Sequence, residues 1–295
     1  CGTALFNPSW QASIGDIALA MLQSAVDSSG AGPSRGHLRA VGALGAQARA
    51  LAGAVEHWAF VDGFGGHVEA VCCLIRLDAP SDRLFAELRK LLRSGSLAER
   101  FAVITALSDS SGSFGPLFRD LEKVAEDPAL DVPEIAFAIR RVAPTEGATR
   151  ALGKLLMHGE LAVRAGAARA LAELSVHSRD VRGVLLAASS SSTLAYTAVQ
   201  GLGELPVLDA TERAAVRRCL VARSSPRLRV HAAAVLAAHE SITPITEGAL
   251  RTILSDPESP RSARRLACST LERRPSLRPA TVMRLIAVER CDTDP

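Results

Sequence analysis

Aromatic side chains are scarce in this chain. Phe, Trp and Tyr make up 4% of its 295 residues, with two tryptophans, Trp10 and Trp58, and a single tyrosine, Tyr196. A core poor in rings and rich in Ala points away from a strand sandwich and toward helices packed closely through small side chains. Lysine is rarer still, found only at Lys90, Lys123 and Lys154. We read the Arg and Ala bias as genome composition rather than function. No apolar run approaches the ~18 uninterrupted residues of a membrane-spanning helix. There is no HExxH, CxxC or CxxH, so the seven histidines spell no zinc signature. His231 and His239 are about two helical turns apart, roughly 12 Å, too far to share a metal directly. The one glycine-dense stretch, "DGFGGH" at 62–67, lacks the Lys-Ser/Thr of a phosphate-binding loop and reads as an inter-helix turn. No GxSxG marks a nucleophile elbow. Glu122, Glu126 and Asp127 sit at the spacing of a solvated helix face or end. No catalytic, cofactor or metal residue is assigned.

What the chain does have is recurrence. "LAVRAGAARALAEL" at 161–174 has a polar flank, small apolar residues and an anchoring Leu171. Comparable stretches place Leu44, Leu74, Leu107, Val142, Leu202, Leu236 and Leu271 at the anchor position, with separations of 30, 33, 35, 29, 31, 34 and 35 residues. A period of this size indicates stacked helical units, because one unit cannot bury its apolar face alone. Each interval holds a second helical pattern, as in "DRLFAELRKLLR" with Leu84, Leu88, Leu91 and Leu92 on one stripe. Asp82 and Asp209 or Thr211 are the expected helix N-caps, and Pro116, Pro133, Pro226 and Pro260 fall near helix starts.

These residues resemble HEAT repeats. Pieces of that family's "DP…VR…A…AL" arrangement are Val163-Arg164 with Ala167, Ala168 and Leu171, and Asp256-Pro257 ahead of Arg261, Ala267 and Leu271. The resemblance implies an all-α, right-handed superhelix of about eight helix pairs, with inner helices lining a concave face. It covers residues 35–290, leaving 1–34 as an anchor segment with a capping helix and 291–295 as a tail.

The first residue, Cys1, is followed by Gly2. A chain starting at Cys resembles a mature bacterial lipoprotein, whose N-terminal thiolate carries a diacylglyceryl group. That resemblance implies lipidation at Cys1, a membrane anchor and a periplasmic, outer-membrane location. Of the remaining cysteines, Cys72 and Cys73 are adjacent in a helical pattern, point about 100° apart, and are expected to be small buried hydrophobes rather than a redox pair.

Charge is uneven along the chain. Residues 1–150 carry 14 Lys/Arg against 17 Asp/Glu, whereas 151–295 carry 20 against 14. Arg227, Arg229, Arg261, Arg264 and Arg265 are the candidate contacts for an acidic partner or a lipid headgroup. Nucleic acid is a poor candidate, because the tryptophans lie far in sequence from the arginines. The function expected from these features is a non-enzymatic protein-binding scaffold, a lipid-anchored subunit of a cell-envelope complex, with no cofactor. The alternatives are a cytoplasmic HEAT-type adaptor, or a HEAT-like enzyme such as a DNA glycosylase or chromophore lyase.

Overall fold

Amphipathic stripes and well-formed caps make the described residues helical almost throughout. The computed structural model describes residues 20, 33–110, 114–127, 129–130, 133–220, 225–239, 243–256, 259 and 261–272. Among these, fifteen α-helices and two 3-10 turns are the only regular elements. The fold is all-α, a HEAT-like helical repeat. Cys1, Gly2 and the segments 1–19 and 291–295 lie outside the described residues, as does the side chain of Arg261. No described helix is long and apolar enough to cross a membrane.

The chain divides into two compact units, Cys1–Leu155 and Leu156–Pro295. The first contains α1 (Arg35–Ala43), α2 (Ala52–Ala59), α3 (His67–Arg76), α4 (Asp82–Ser94), α5 (Leu97–Ser108), α6 (Phe118–Val124), α7 (Glu134–Val142) and α8 (Thr145–Leu155). The second contains α9 (Leu161–Glu173), α10 (Arg179–Ser189), α11 (Ala195–Gly203), α12 (Ala210–Arg218), α13 (Pro226–His239), α14 (Pro244–Ser255) and α15 (Arg261–Glu272). In each unit the odd-numbered helices lie side by side as one layer, and the even-numbered helices pack over them. The stretch 62–66 is a turn between α2 and α3, and His67 opens α3.

The two layers differ because they are covered differently. Along α4, Leu84, Leu88, Leu91 and Leu92 form one buried stripe, which suits a helix covered on a single side. In α5 and α13 the buried residues spread further round: Val103, Ile104, Ala106 and Leu107 in one, and Leu228, Val230, Ala232, Ala233 and Leu236 in the other. Those helices touch a neighbour on each side and another above. Ala residues there let backbones approach. The anchors Leu74, Leu107, Val142, Leu171, Leu202, Leu236 and Leu271 are all buried.

Helix starts are marked chemically. Ser96 with Glu99 and Asp209 with Glu212 form reciprocal capping boxes at α5 and α12. At α4 the cap is Ser81, not Asp82. The Ser81 residue is extended and its hydroxyl accepts from the Leu84 amide, so Asp82 becomes a first-turn acid favoured by the helix dipole. Thr211 lies inside α12, past the cap. A further device recurs at four helices. Arg100, Arg164, Arg213 and Arg264 are each the fourth residue of their helix. Each donates to the carbonyl two residues before it starts, on Gly95, Gly159, Leu208 and Ser259. Helix ends are similar too. Asp78 and Ser175 both follow an anchor leucine by four residues and adopt φ of 53° and 62°. Ala79 and Val176 then donate back to Leu74 and Leu171 in the six-to-one bond of a left-handed stop.

Even-numbered neighbours are clamped through buried acids. Asp120 on α6 receives Arg93 at 2.7 Å and Arg89 at 3.6 Å from α4. Glu212 on α12 is fully buried and receives Arg182 of α10 at 2.6 Å.

Candidate functional site

A polar cluster on the odd-numbered layer of the second unit is built from α9, α11 and α13. Tyr196 stands on α11 with its hydroxyl at the centre. Gln200 Nε2, one turn on, donates to that oxygen at 3.2 Å. Arg227 Nε on α13 donates to it at 3.0 Å, and the Arg227 guanidinium lies 4.6 Å from the centre of the tyrosine ring. The hydroxyl lies 2.9 Å from His231 Nε2, and the two rings meet edge to face. With both lone pairs of the phenol oxygen occupied by donors, its own proton points at His231, whose Nε2 then accepts.

Charge in the site is one-sided. Burial, then the guanidiniums of Arg227 and Arg169, hold the His231 imidazole below the usual histidine range. His231 is therefore neutral at physiological pH. Arg169 on α9 is committed to Glu173, its neighbour one turn on, at 2.9 Å. Arg227 is exposed, while Tyr196, Gln200, His231 and Arg169 are partly buried. The cluster joins a cation able to hold an anion to a tyrosine–histidine pair able to exchange a proton.

Of the arginines singled out from sequence, the structure brings Arg227 to this site, and the side chain of Arg261 lies outside the described residues. Arg229 is partly buried, with its Nε enclosed. Arg264 is committed to the Ser259 carbonyl at 2.8 Å, and Arg265 is exposed on α15. Arg229 does not share a face with Arg227, because residues two apart on a helix face different directions. Tyr196, Gln200 and His231 were not among the sequence candidates. The signal that could have found them is the repeat itself, since Tyr196 precedes its anchor Leu202 by six residues and His231 precedes Leu236 by five.

Other reactive side chains are tied into packing. His67 Nδ1 meets the Ala59 carbonyl at 2.7 Å and its Nε2 meets Glu87 at 3.1 Å, linking α2, α3 and α4. Cys72, Cys73 and Cys219 are buried free thiols. Burial pushes Cys72 up to about 11 and Cys73 up to about 12. Among the described residues no group of three or more His, Cys, Asp or Glu side chains is arranged to hold a metal ion.

No protein-family model and no curated protein matches the chain. Two solved structures are similar to it. One is human deoxyhypusine hydroxylase in complex with glycerol, 20% identical, covering 90% of this chain and 98% of that one, with a TM-score of 0.34. The other is an engineered protein, Northeast Structural Genomics Consortium target OR497, 18% identical, covering 89% of this chain and 83% of that one, with a TM-score of 0.38. The expectation of a non-enzymatic, lipid-anchored envelope scaffold is corrected at this point. One of the similar chains is, by its name, an enzyme. That expectation is dropped.

Proposed function

We propose that the chain is a HEAT-type adaptor that holds an acidic segment of a partner protein on the odd-numbered layer of its second unit. The observation that carries this reading is the fixed guanidinium of Arg227, held by the ring and the hydroxyl of Tyr196. An arginine already ordered in the free protein loses little side-chain freedom on binding. The excess of Arg over acids in residues 151–295 adds attraction at long range, which raises the rate of encounter with an acidic partner. Photo-reactive residues placed at Ser225, beside Arg227, and at exposed Ala214 on α12 test this. The expected result is a defined partner adduct at Ser225 that weakens with added salt and is missing at Ala214. Equal adducts at both positions, or none at either, would remove the reading.

A second reading rests on a different observation. The Tyr196 proton faces a neutral His231, the arrangement that general acid–base catalysis uses. On that reading the chain is a HEAT-like enzyme. Tyr196→Phe would then abolish turnover while the Ser225 adduct persists.

A further inference from the structure

We propose that the terminal nitrogens of Arg227, Nη1 and Nη2, bind a single carboxylate of an acidic protein segment, with Tyr196 as the residue that positions them. The proposal rests on the adaptor reading and names the chemical group that the site takes.

Nε of Arg227 is engaged by the Tyr196 hydroxyl at 3.0 Å, and the guanidinium lies over the same ring at 4.6 Å. One bond and one face contact to a single side chain set both the position and the plane of the fork. Nη1 and Nη2 find no protein partner among the described residues, and the side chain is exposed. The tyrosine hydroxyl is itself fully engaged by Gln200, Arg227 and His231, so it serves the site by holding the arginine rather than by meeting the ligand. The charge balance selects the ligand. Arg169 is neutralised by Glu173, which leaves one uncompensated positive charge. A planar carboxylate supplies one negative charge and two oxygens at the spacing of the fork. A phosphate dianion would bring a second negative charge that no described cation in the cluster is left to meet.

The test uses the full chain and four probes: an acetylated Glu-rich peptide with a free C-terminus, the same peptide amidated, its Gln counterpart, and inorganic phosphate. Binding is followed by calorimetry and by the His231 ring resonances. The acidic peptide is expected to bind and to raise the pH at which His231 titrates, because the carboxylate offsets the field of Arg227. Arg227→Lys should weaken binding about tenfold or more, since a lysine offers no fork. Tyr196→Phe should weaken it less, and thermal melts of both variants establish that they fold. Loss on amidation assigns the C-terminal carboxylate, and persistence assigns a glutamate side chain. Equal binding of the amidated Gln peptide, tighter binding of phosphate, or an Arg227→Lys protein that binds like the parent overturns the proposal. A partner adduct at Ser225 that is indifferent to Arg227→Lys would sink the carboxylate site and leave the adaptor standing. Arg227-dependent peptide binding with no partner adduct would do the reverse.

Discussion

The phenol oxygen of Tyr196 on α11 stands 2.9 Å from Nε2 of His231 on α13, 35 residues further along the chain. That separation is one repeat. Tyr196 lies six residues before its anchor and His231 five before its own, so the pair meets across successive repeats of the odd-numbered layer and puts a hydrogen-bond donor against an acceptor there. The contact requires a neutral imidazole, which ties it to pH.

The folded chain should lose stability as the solution is acidified through the histidine range. His231 titrates below its ordinary 6.5 when folded, because of burial first and then Arg227 and Arg169. Between that lowered value and 6.5 the unfolded chain binds a proton that the folded chain does not, so stability rises with pH across the window. The His231 contribution is complete above 6.5 and is lost as the pH falls toward the folded value. Melting temperatures at about pH 7.5 and about pH 5 should therefore differ more in the parent than in His231→Gln. An unchanged difference would mean that His231 takes up its proton equally in both states.

Arg182 and Glu212 test the clamps between even-numbered helices. Glu212 is fully buried, and Arg182 reaches both of its oxygens, at 2.6 and 2.7 Å. Arg182→Ala strands a buried carboxylate and should cost about 3 kcal/mol in a urea titration. Arg182→Met with Glu212→Leu removes both charges and should recover much of that loss. A double variant no better than the single would show that the acid matters through its capping bond to Asp209 instead.

The repeat was legible in sequence because burial falls on evenly spaced residues. Leu171 and Leu202 mark its period, and both are buried. At α12 the sequence narrows the cap to Asp209 or Thr211, and the structure selects Asp209, whose side chain accepts from the amide three residues on. Ser81 was missed in favour of Asp82 because both residues can cap, and only the backbone angle of Ser81 decides between them. The site was missed for a related reason. Sequence places Arg227 and Arg229 in one basic run, whereas the fold sends Arg227 onto a tyrosine 31 residues away. The interactions that define the site cross repeats, so reading along the chain groups the wrong residues.

Cys72 and Cys73 should behave as inert packing groups. Both are buried on α3, with thiols pushed up to about 11 and about 12. Iodoacetamide at about pH 8 should leave both unmodified in the native protein and alkylate both in urea, because the thiolate is the reacting form. Labelling of either one in the native protein would mean that α3 opens locally.

Gly201 leaves little room for change in the odd-numbered layer. It precedes the anchor Leu202 on α11, and a Cβ there would lie 2.6 Å from the end of Leu185 and 3.2 Å from the Cα of Arg169. The leucine can turn aside, but the backbone of α9 cannot move without shifting a whole helix. Gly201→Ala should therefore cost about 1–3 kcal/mol as an overpacking change, despite the better helix propensity of alanine. Gly203 provides the contrast within the same helix. Its added Cβ would meet only the Val235 side chain, at 2.9 Å, and no backbone of a neighbouring helix. Gly203→Ala should then be close to neutral, as its propensity gain offsets a small repacking cost. Urea titrations of the two variants give the comparison directly. Equal stabilities would mean that α9 and α11 are not held apart by the width of a glycine.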